Sequence, residues 1–258
     1  MRERTHDQKS VVVTGAGSGV GRASALRFAE EGARVVCADV QLDWAKETVR
    51  QIEAAGGTAV PQLCDVTQED DVVAAVAAAV DHFGRLDVMF NNVGIATPAG
   101  ARQLEDHTVE DFDRLAAVNL RGVFLGCKHA IIRFKTQGDG GVILNTGSVA
   151  GMVGWGGAVY GATKGGVIQL TRAAAVEGAP FGIRVNAICP AGMPHTNFMS
   201  AVGIEATEDI VKGVAAMHPL GREITAEDCA EAALFLTSDR AANITGALLP
   251  VDGGYVAK

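Results

Sequence analysis

The chain has 258 residues, 48% of them hydrophobic, enough for a sizeable core and against a disordered polymer. A formal net charge of -8 and a pI near 5.2, with no basic stripe, argue against a nucleic-acid partner. The longest strongly apolar run, Val72–Val80, is far shorter than the roughly 20 residues of a membrane span. The charged start MRERTHDQKS reads as neither signal peptide nor anchor, so a soluble, cytoplasmic protein with no membrane partner is expected.

Residues 1–9 read as a flexible tail, followed by short β-branched runs that alternate with longer Ala-rich helical stretches. Strands are expected at 10–15, 33–39, 58–65, 86–92, 141–147, 183–189 and 247–251. Helices are expected near 19–31, 42–55, 68–83, 108–135, 159–178 and 225–237. Strands that are apolar throughout imply burial on both faces, as in a parallel sheet. Regular β-α alternation then predicts an α/β fold: one single-domain, Rossmann-type doubly wound sheet of seven parallel strands with helices on both faces. The stretch 193–217 breaks the rhythm after the sixth strand and is expected to be a helical lid.

Five cysteines stand at wide intervals with no CxxC pair, which points to reduced, buried thiols. The six histidines form no ligand motif, so no metal is expected.

Ligands of open parallel sheets bind beyond the carboxyl ends of the strands, so residues at those ends are the candidate site. The first such end is TGAGSGVG, Thr14–Gly21, opening the first helix. Glycines let backbone approach a pyrophosphate, and a helix N-terminus offers free N–H donors and positive dipole. The strict G-x-G-x-x-G spacing is absent; Gly15, Gly19 and Gly21 form G-x-x-x-G-x-G instead. Eighteen residues beyond Gly21, Asp39 ends the second strand, where a carboxylate can accept both ribose hydroxyls and repel a 2′-phosphate. Neither Ser18 nor Val40 supplies a cation for that phosphate, so NAD is the expected cofactor. The blander role for Asp39 is a cap for the next helix.

Only two tyrosines occur, and one stands in VYGATKGGV. Residues four apart share a helix face, so Tyr160 and Lys164 point together, with room left by the small residues around them. A phenol titrates near 10, and one cation about 4 Å away at an effective dielectric of about 20 supplies the roughly 4 kcal/mol that lowers it three units. Tyr160 is thus expected to be an acid/base whose pKa Lys164 depresses, with Ser148 orienting the substrate oxygen.

The glycine turn, Asp39, CDV, NNVG, Ser148 and YGATK together closely resemble the short-chain dehydrogenase/reductase family, along essentially the whole chain. The resemblance implies a catalytic set of Asn119, Ser148, Tyr160 and Lys164, with Asn119 holding a water in a proton relay. It implies that the dinucleotide lies along Gly15, Ser18, Gly19, Val20 and Gly21, with Asp39 and Val40 at the ribose. Asp65 and Val66 would meet the adenine, and Asn92, Val93 and Gly94 the middle of the cofactor, while Asn91 steadies the sheet. Tyr160 and Lys164 would also touch the nicotinamide ribose.

Two departures from the family pattern stand out. Tyr160 is one residue closer to Ser148 than usual, and CPAGMPHT replaces Pro-Gly-x-x-x-Thr. If Ala191 is the inserted residue, Pro190, Gly192, Pro194 and Thr196 form the nicotinamide end, with Thr196 on the carboxamide; an insertion further on shifts the set by one. An apolar wall is expected from Ile95, Ala96, Met152, Val153, Trp155, Met193, Phe198, Met199 and Ile204, with His195 as a polar exception. It suits a small-molecule alcohol or ketone of moderate size, alicyclic or steroid-like. The competing readings are a 3-oxoacyl-carrier-protein reductase and a catalytically silent NAD-binding regulator. The resemblance further implies a homotetramer built on helices 108–135 and 159–178.

Overall fold

The computed structural model describes residues 4–97, 103–200, 203 and 205–258. Its strands are β1 (Ser10–Thr14), β2 (Arg34–Asp39), β3 (Thr58–Leu63), β4 (Val88–Asn91), β5 (Gly141–Thr146), β6 (Ile183–Pro190) and β7 (Leu248–Val251). They form one seven-stranded sheet in the order β3-β2-β1-β4-β5-β6-β7, every pair parallel. In register, Val12 lies between Val36 of β2 and Met89 of β4.

The strand residues alternate between two separate apolar layers, as a period of two requires. Val11, Val13, Val35, Cys37, Val88 and Phe90 enter one layer; Val12, Val36, Ala38 and Met89 enter the other. The first layer is covered by α1 (Gly19–Glu30), α2 (Leu42–Ala54) and α9 (Ala226–Thr237), through side chains such as Phe28, Ile52 and Leu234. The second is covered by α3 (Glu69–Phe83), α5 (Gly122–Gln137) and α6 (Ala158–Gly178), through Val76, Phe134 and Val167. A fully buried side chain such as Phe28 contributes about 3 kcal/mol by leaving water. β1 is the switch point: one crossover leaves it toward β2 and the next returns beside it as β4, which opens a crevice above their carboxyl ends.

Helix 108–135 is not continuous. α4 (Val109–Ala116) and α5 flank a five-residue π-helical segment, Ala117–Arg121. Among the described residues, Val109–Gln137 is the one stretch long and apolar enough to span a membrane, and here its Val123, Leu125, Ala130 and Phe134 pack onto the sheet. The region after β6 carries α7 (Asn197–Ser200) and α8 (Glu208–Met217), the expected helical lid.

The start of the chain corrects the expectation of a flexible tail. From Thr5 onward it is docked: the Thr5 amide and hydroxyl donate to Glu31 Oε2 at 2.9 and 3.1 Å. His6 is fully buried between α1 and α9, with Nε2 2.9 Å from Thr237 Oγ1 and its ring edge-on to Phe28 at 5.0 Å. Burial, helped by the nearby Lys9 charge, pushes its pKa down to about 4. Lys9 pairs with Asp239 at 2.7 Å, so residues 5–9 strap the two helices together. At the other end, Lys258 Nζ donates to Met217 O at 2.8 Å and thereby meets the last turn of α8.

Candidate active site

The glycine turn between β1 and α1 is shaped by three close approaches. Gly15 has φ +67°, a conformation that disfavours a side chain. A Cβ on Gly21 would lie 2.0 Å from Gly15 O, and one on Gly17 would lie 2.7 Å from both Asp39 Oδ2 and Trp44 Cβ. Ser18, the residue before α1, is extended and makes no side-chain capping bond, so it satisfies none of the first-turn N–H groups. A cradle of this kind fits a dinucleotide pyrophosphate: Cβ atoms would fill it, and its helix end is uncapped by a side chain.

Asp39 is buried at the end of β2, and its carboxylate is held by two backbone donors, Gly17 N–H at 2.8 Å on Oδ2 and Gln41 N–H at 2.8 Å on Oδ1. Both bonds come from loop amides rather than from α2 itself, and each carboxylate oxygen keeps capacity for a further donor. Val40 beside it is 57% exposed, free of the core and at the crevice rim. Asp65 stands two residues beyond β3, where Oδ1 accepts from the Thr67 amide and hydroxyl at 2.9 and 2.8 Å. Val66 is buried against Gly122, where an added Cβ would come within 2.8 Å.

Asn91 and Asn92 divide their duties. Asn91 is buried and donates to Asn145 Oδ1 at 2.9 Å; Asn145 in turn donates to Thr171 of α6 at 3.0 Å. Asn92 turns the other way, donating to Thr14 O at 3.1 Å and accepting from Thr146 Oγ1 at 3.1 Å. Its amide lies against both Gly15 and Gly21, and Val93 touches Gly15 from the same side. Gly94 follows, and a Cβ there would sit 3.3 Å from Lys164 Nζ.

The catalytic candidates converge on that point. Asn119, inside the π-helical segment, is fully buried; its Oδ1 accepts Ile95 N–H at 2.8 Å and its Nδ2 donates to Ile95 O at 2.9 Å and to Thr163 at 3.4 Å. The widened turn lets a helical side chain reach the strand-end loop, a common place for π-bulges. Lys164 is buried on α6 and donates to Thr146 O at 2.8 Å. Burial lowers its pKa to about 8. Its ammonium is 5.9 Å from the centre of the Tyr160 ring. Ser148, just past β5, accepts Ala150 N–H at 3.1 Å and lies 3.4 Å from Pro190 O.

Tyr160 departs from expectation in one respect. Burial pushes its phenol up to about 12, opposed by a hydrogen bond with Ser148. The expected depression by Lys164 is not seen: the causes acting on the phenol are burial, the opposing Ser148 hydroxyl and the nearby Cys189. Ala150, bonded to the Ser148 hydroxyl, packs in the same apolar cluster as Tyr160, so the shortened spacing still brings the Ser148 turn beside the phenol ring.

The lid supplies the remaining wall. Tyr160 packs with Leu115, Ala150, Val159, Ile95, Trp155 and Phe198, and the Phe198 ring is 5.7 Å from its own. Gly192 is buried between Val214 of α8 and Trp155, at 3.3 and 3.6 Å from its would-be Cβ. Trp155 also meets Tyr255 edge-on at 5.9 Å. Pro190 ends β6 and Pro194 is buried in the following turn. Thr196 is buried, donates to Met193 O at 2.9 Å, and would lie 3.7 Å from a Cβ on Gly19, so it stands beside the glycine turn.

Met193 is half-buried; it packs against the first apolar layer, with Cys229 Sγ at 3.7 Å, and also lines a cavity with Gly19 and Thr196. Met152 and Val153 are 39% and 38% exposed, Met199 is half-buried, and His195 pairs with Glu223 at 3.4 Å. Ala96 is partly buried beside Ile95, and Ile204 falls outside the described residues. Among the described residues no group of three or more His, Cys, Asp or Glu gathers as a metal site. Thr146 and Thr163 belong to the site but escaped the sequence reading. Thr163, inside YGATK, offered a signal; Thr146 acts through its carbonyl, which any residue has.

The family model described as enoyl-(acyl carrier protein) reductase matches residues 15–256. The 2,5-dichloro-2,5-cyclohexadiene-1,4-diol dehydrogenase of Sphingobium indicum is 41% identical, over 96% of each chain. A short-chain type dehydrogenase/reductase from Mycobacterium marinum superposes with a TM-score of 0.90 at 32% identity, covering 99% of this chain and 98% of that one. The 3-ketoacyl-(acyl-carrier-protein) reductase of Brucella melitensis, complexed with NADH, gives 0.86 at 39% identity, covering 96% and 98%. Fold, cradle and relatives define an oxidoreductase that uses a nicotinamide cofactor on CH–OH groups. Within that class, the chain belongs to the short-chain dehydrogenase/reductase family.

Proposed function

We propose that this protein is an NAD-dependent dehydrogenase that interconverts a secondary alcohol and a ketone, the substrate being apolar, of moderate size and alicyclic or steroid-like. The observation that carries it is Tyr160 buried in an apolar wall, with the Lys164 ammonium 5.9 Å from its ring centre and Ser148 bonded to Ala150 of the same wall. A bound nicotinamide cofactor supplies or accepts the hydride.

Tyr160 exchanges the proton of the substrate oxygen, and Ser148, beside it, holds that oxygen in place. With one donor on Thr146 O, the Lys164 ammonium keeps two N–H groups for the crevice. With its ammonium 5.9 Å from the centre of the Tyr160 ring, Lys164 is assigned to favour the phenolate against the burial that raises its pKa. Asn119 braces the Ile95 loop beside this cluster and is assigned the relay position.

Preference for NAD rests on Asp39, fixed by two backbone donors with its charge toward the ribose end. Gly15, Ser18, Gly19, Val20 and Gly21 are assigned to the pyrophosphate, Val40, Asp65 and Val66 to the adenosine side, and Asn92, Val93 and Gly94 to the cofactor's centre. Pro190, Gly192, Pro194 and Thr196 are assigned to its nicotinamide end, where Thr196 also reaches the cradle. Five unpaired thiols suit a reducing cytoplasm. Exposed Phe112, Phe124 and Ile132 on α4 and α5, with Val176 on α6, suit burial in a homotetramer.

Likeness to the Brucella enzyme favours a second reading, reduction of 3-oxoacyl thioesters. The test is a panel of alicyclic alcohols, steroid ketones and acetoacetyl thioesters, followed by NADH absorbance and repeated with NADP(H). Turnover of alicyclic alcohols with NAD supports the proposal. Exclusive thioester reduction selects the second reading, and binding of NADH with no turnover of any class points to a regulator.

A further inference from the structure

We infer that Arg22 and Thr48 are positioning residues that set dinucleotide affinity by holding the carbonyl side of the glycine turn. The inference rests on the reading that the turn receives a dinucleotide. Thr48, fully buried on α2, places its hydroxyl 2.8 Å from Ala16 O, closer than the 3.2 Å to Trp44 O within its own helix. The Thr48 hydroxyl oxygen accepts from Arg22 Nε at 3.2 Å, and Arg22 Nη2 donates to Gly17 O.

A peptide unit directs its N–H and C=O to opposite sides, so fixing one orients the other. Two successive carbonyls, of Ala16 and Gly17, are drawn toward α2 and the Arg22 guanidinium. Meanwhile Gly17 N–H meets Asp39 Oδ2 at 2.8 Å and Ala16 N–H meets Ala38 O at 3.1 Å. The chain of contacts runs Thr48, Arg22, Gly17, Asp39, linking α2, α1 and the end of β2 into one frame. Neither Arg22 nor Thr48 reaches Tyr160 or Lys164 through any of these bonds. Removing the clamp therefore frees the turn to rotate and Asp39 to swing, while the proton-transfer cluster stays as it is. A buried carbonyl without its donor also favours a rearranged turn.

The experiment measures NADH, NADPH and AMP dissociation constants by calorimetry for wild type, Thr48→Val, Thr48→Ser and Arg22→Gln, alongside kcat at saturating NADH. Thr48→Val and Arg22→Gln are expected to weaken NADH and AMP about tenfold, narrow the NADH over NADPH preference, and leave kcat within twofold. Thr48→Ser, which keeps the hydroxyl, is expected to bind within twofold of wild type. Unchanged NADH affinity in Thr48→Val or, should that variant not fold, in the half-buried Arg22→Gln, overturns the inference. So does a fall in kcat as large as the loss of affinity. A wild-type protein that binds neither dinucleotide overturns the cofactor reading and this inference with it, whereas normal wild-type binding with unaltered variants overturns this inference alone.

Discussion

The two ends of the crevice are built differently. At the glycine turn, backbone groups carry the design: Gly15 bends by its positive φ, Gly21 lies against Gly15 O, and Asp39 is gripped by two amides. At Tyr160, side chains from four separate segments meet: Ile95, Leu115, Ala150 with Trp155, and Phe198. The first end is set mainly by backbone groups of one turn and its neighbouring strand ends; the second depends on how side chains of distant segments pack. Affinity for the cofactor and selection of the substrate are therefore separable, and substitutions at one end should leave the other intact.

The largest expected effect is at the chemical end. Tyr160→Phe keeps the ring against Phe198 but removes the transferable proton, and should lower kcat about a thousandfold with NADH affinity unchanged. Rapid-quench turnover and calorimetry on the same preparation check both halves. Next comes the strap behind the glycine turn. His6 titrates near 4 when folded and near 6.5 when unfolded, so the unfolded chain binds the extra proton as pH falls through that window. Stability present above pH 6.5 is lost progressively toward 4, by about 3 kcal/mol from this residue. Urea melts at pH 7 and pH 4 should show that much less acid loss in His6→Phe than in wild type.

A smaller effect is expected at the ribose. Asp39→Ala should weaken NADH by about tenfold or more, equivalent to about 1.5–2 kcal/mol for a charged hydrogen bond, and NADPH by less than twofold. Equal losses for both cofactors would remove the discriminating role. Smallest is the wall: Phe198→Ala should raise KM for an alicyclic alcohol about three- to tenfold while the dissociation constant of NADH stays within twofold. A shift in NADH affinity there would show the two ends to be coupled.

The same contrast explains what the sequence revealed. Every predicted strand and helix is present within a few residues, because the alternation of Val11, Val12 and Val13 between layers is written in the residues themselves. The glycine turn and the Tyr160–Lys164 spacing were legible for the same reason. The break at Ala117–Arg121 was not, since the bonds that accompany it run from Asn119 to Ile95, 24 positions away. Nor was the docking of His6, whose partner Thr237 is 231 positions on. Met193 illustrates the lid: composition made it a pocket residue but gave no sign that its sulfur would meet Cys229, 36 positions on. Arg22 looked like an ordinary helix residue because its acceptors are a carbonyl and a hydroxyl brought near only by folding.

The chain's two tryptophans fall one at each end. Trp44 abuts Gly17 beside Asp39, and Trp155 lies on Gly192 beneath α8. Nature has thereby placed an intrinsic fluorophore at each station. Replacing either indole with phenylalanine leaves a single emitter, one watching nucleotide arrival and the other watching the roof over the reactants, so their order in time is open to stopped-flow optics without any attached dye.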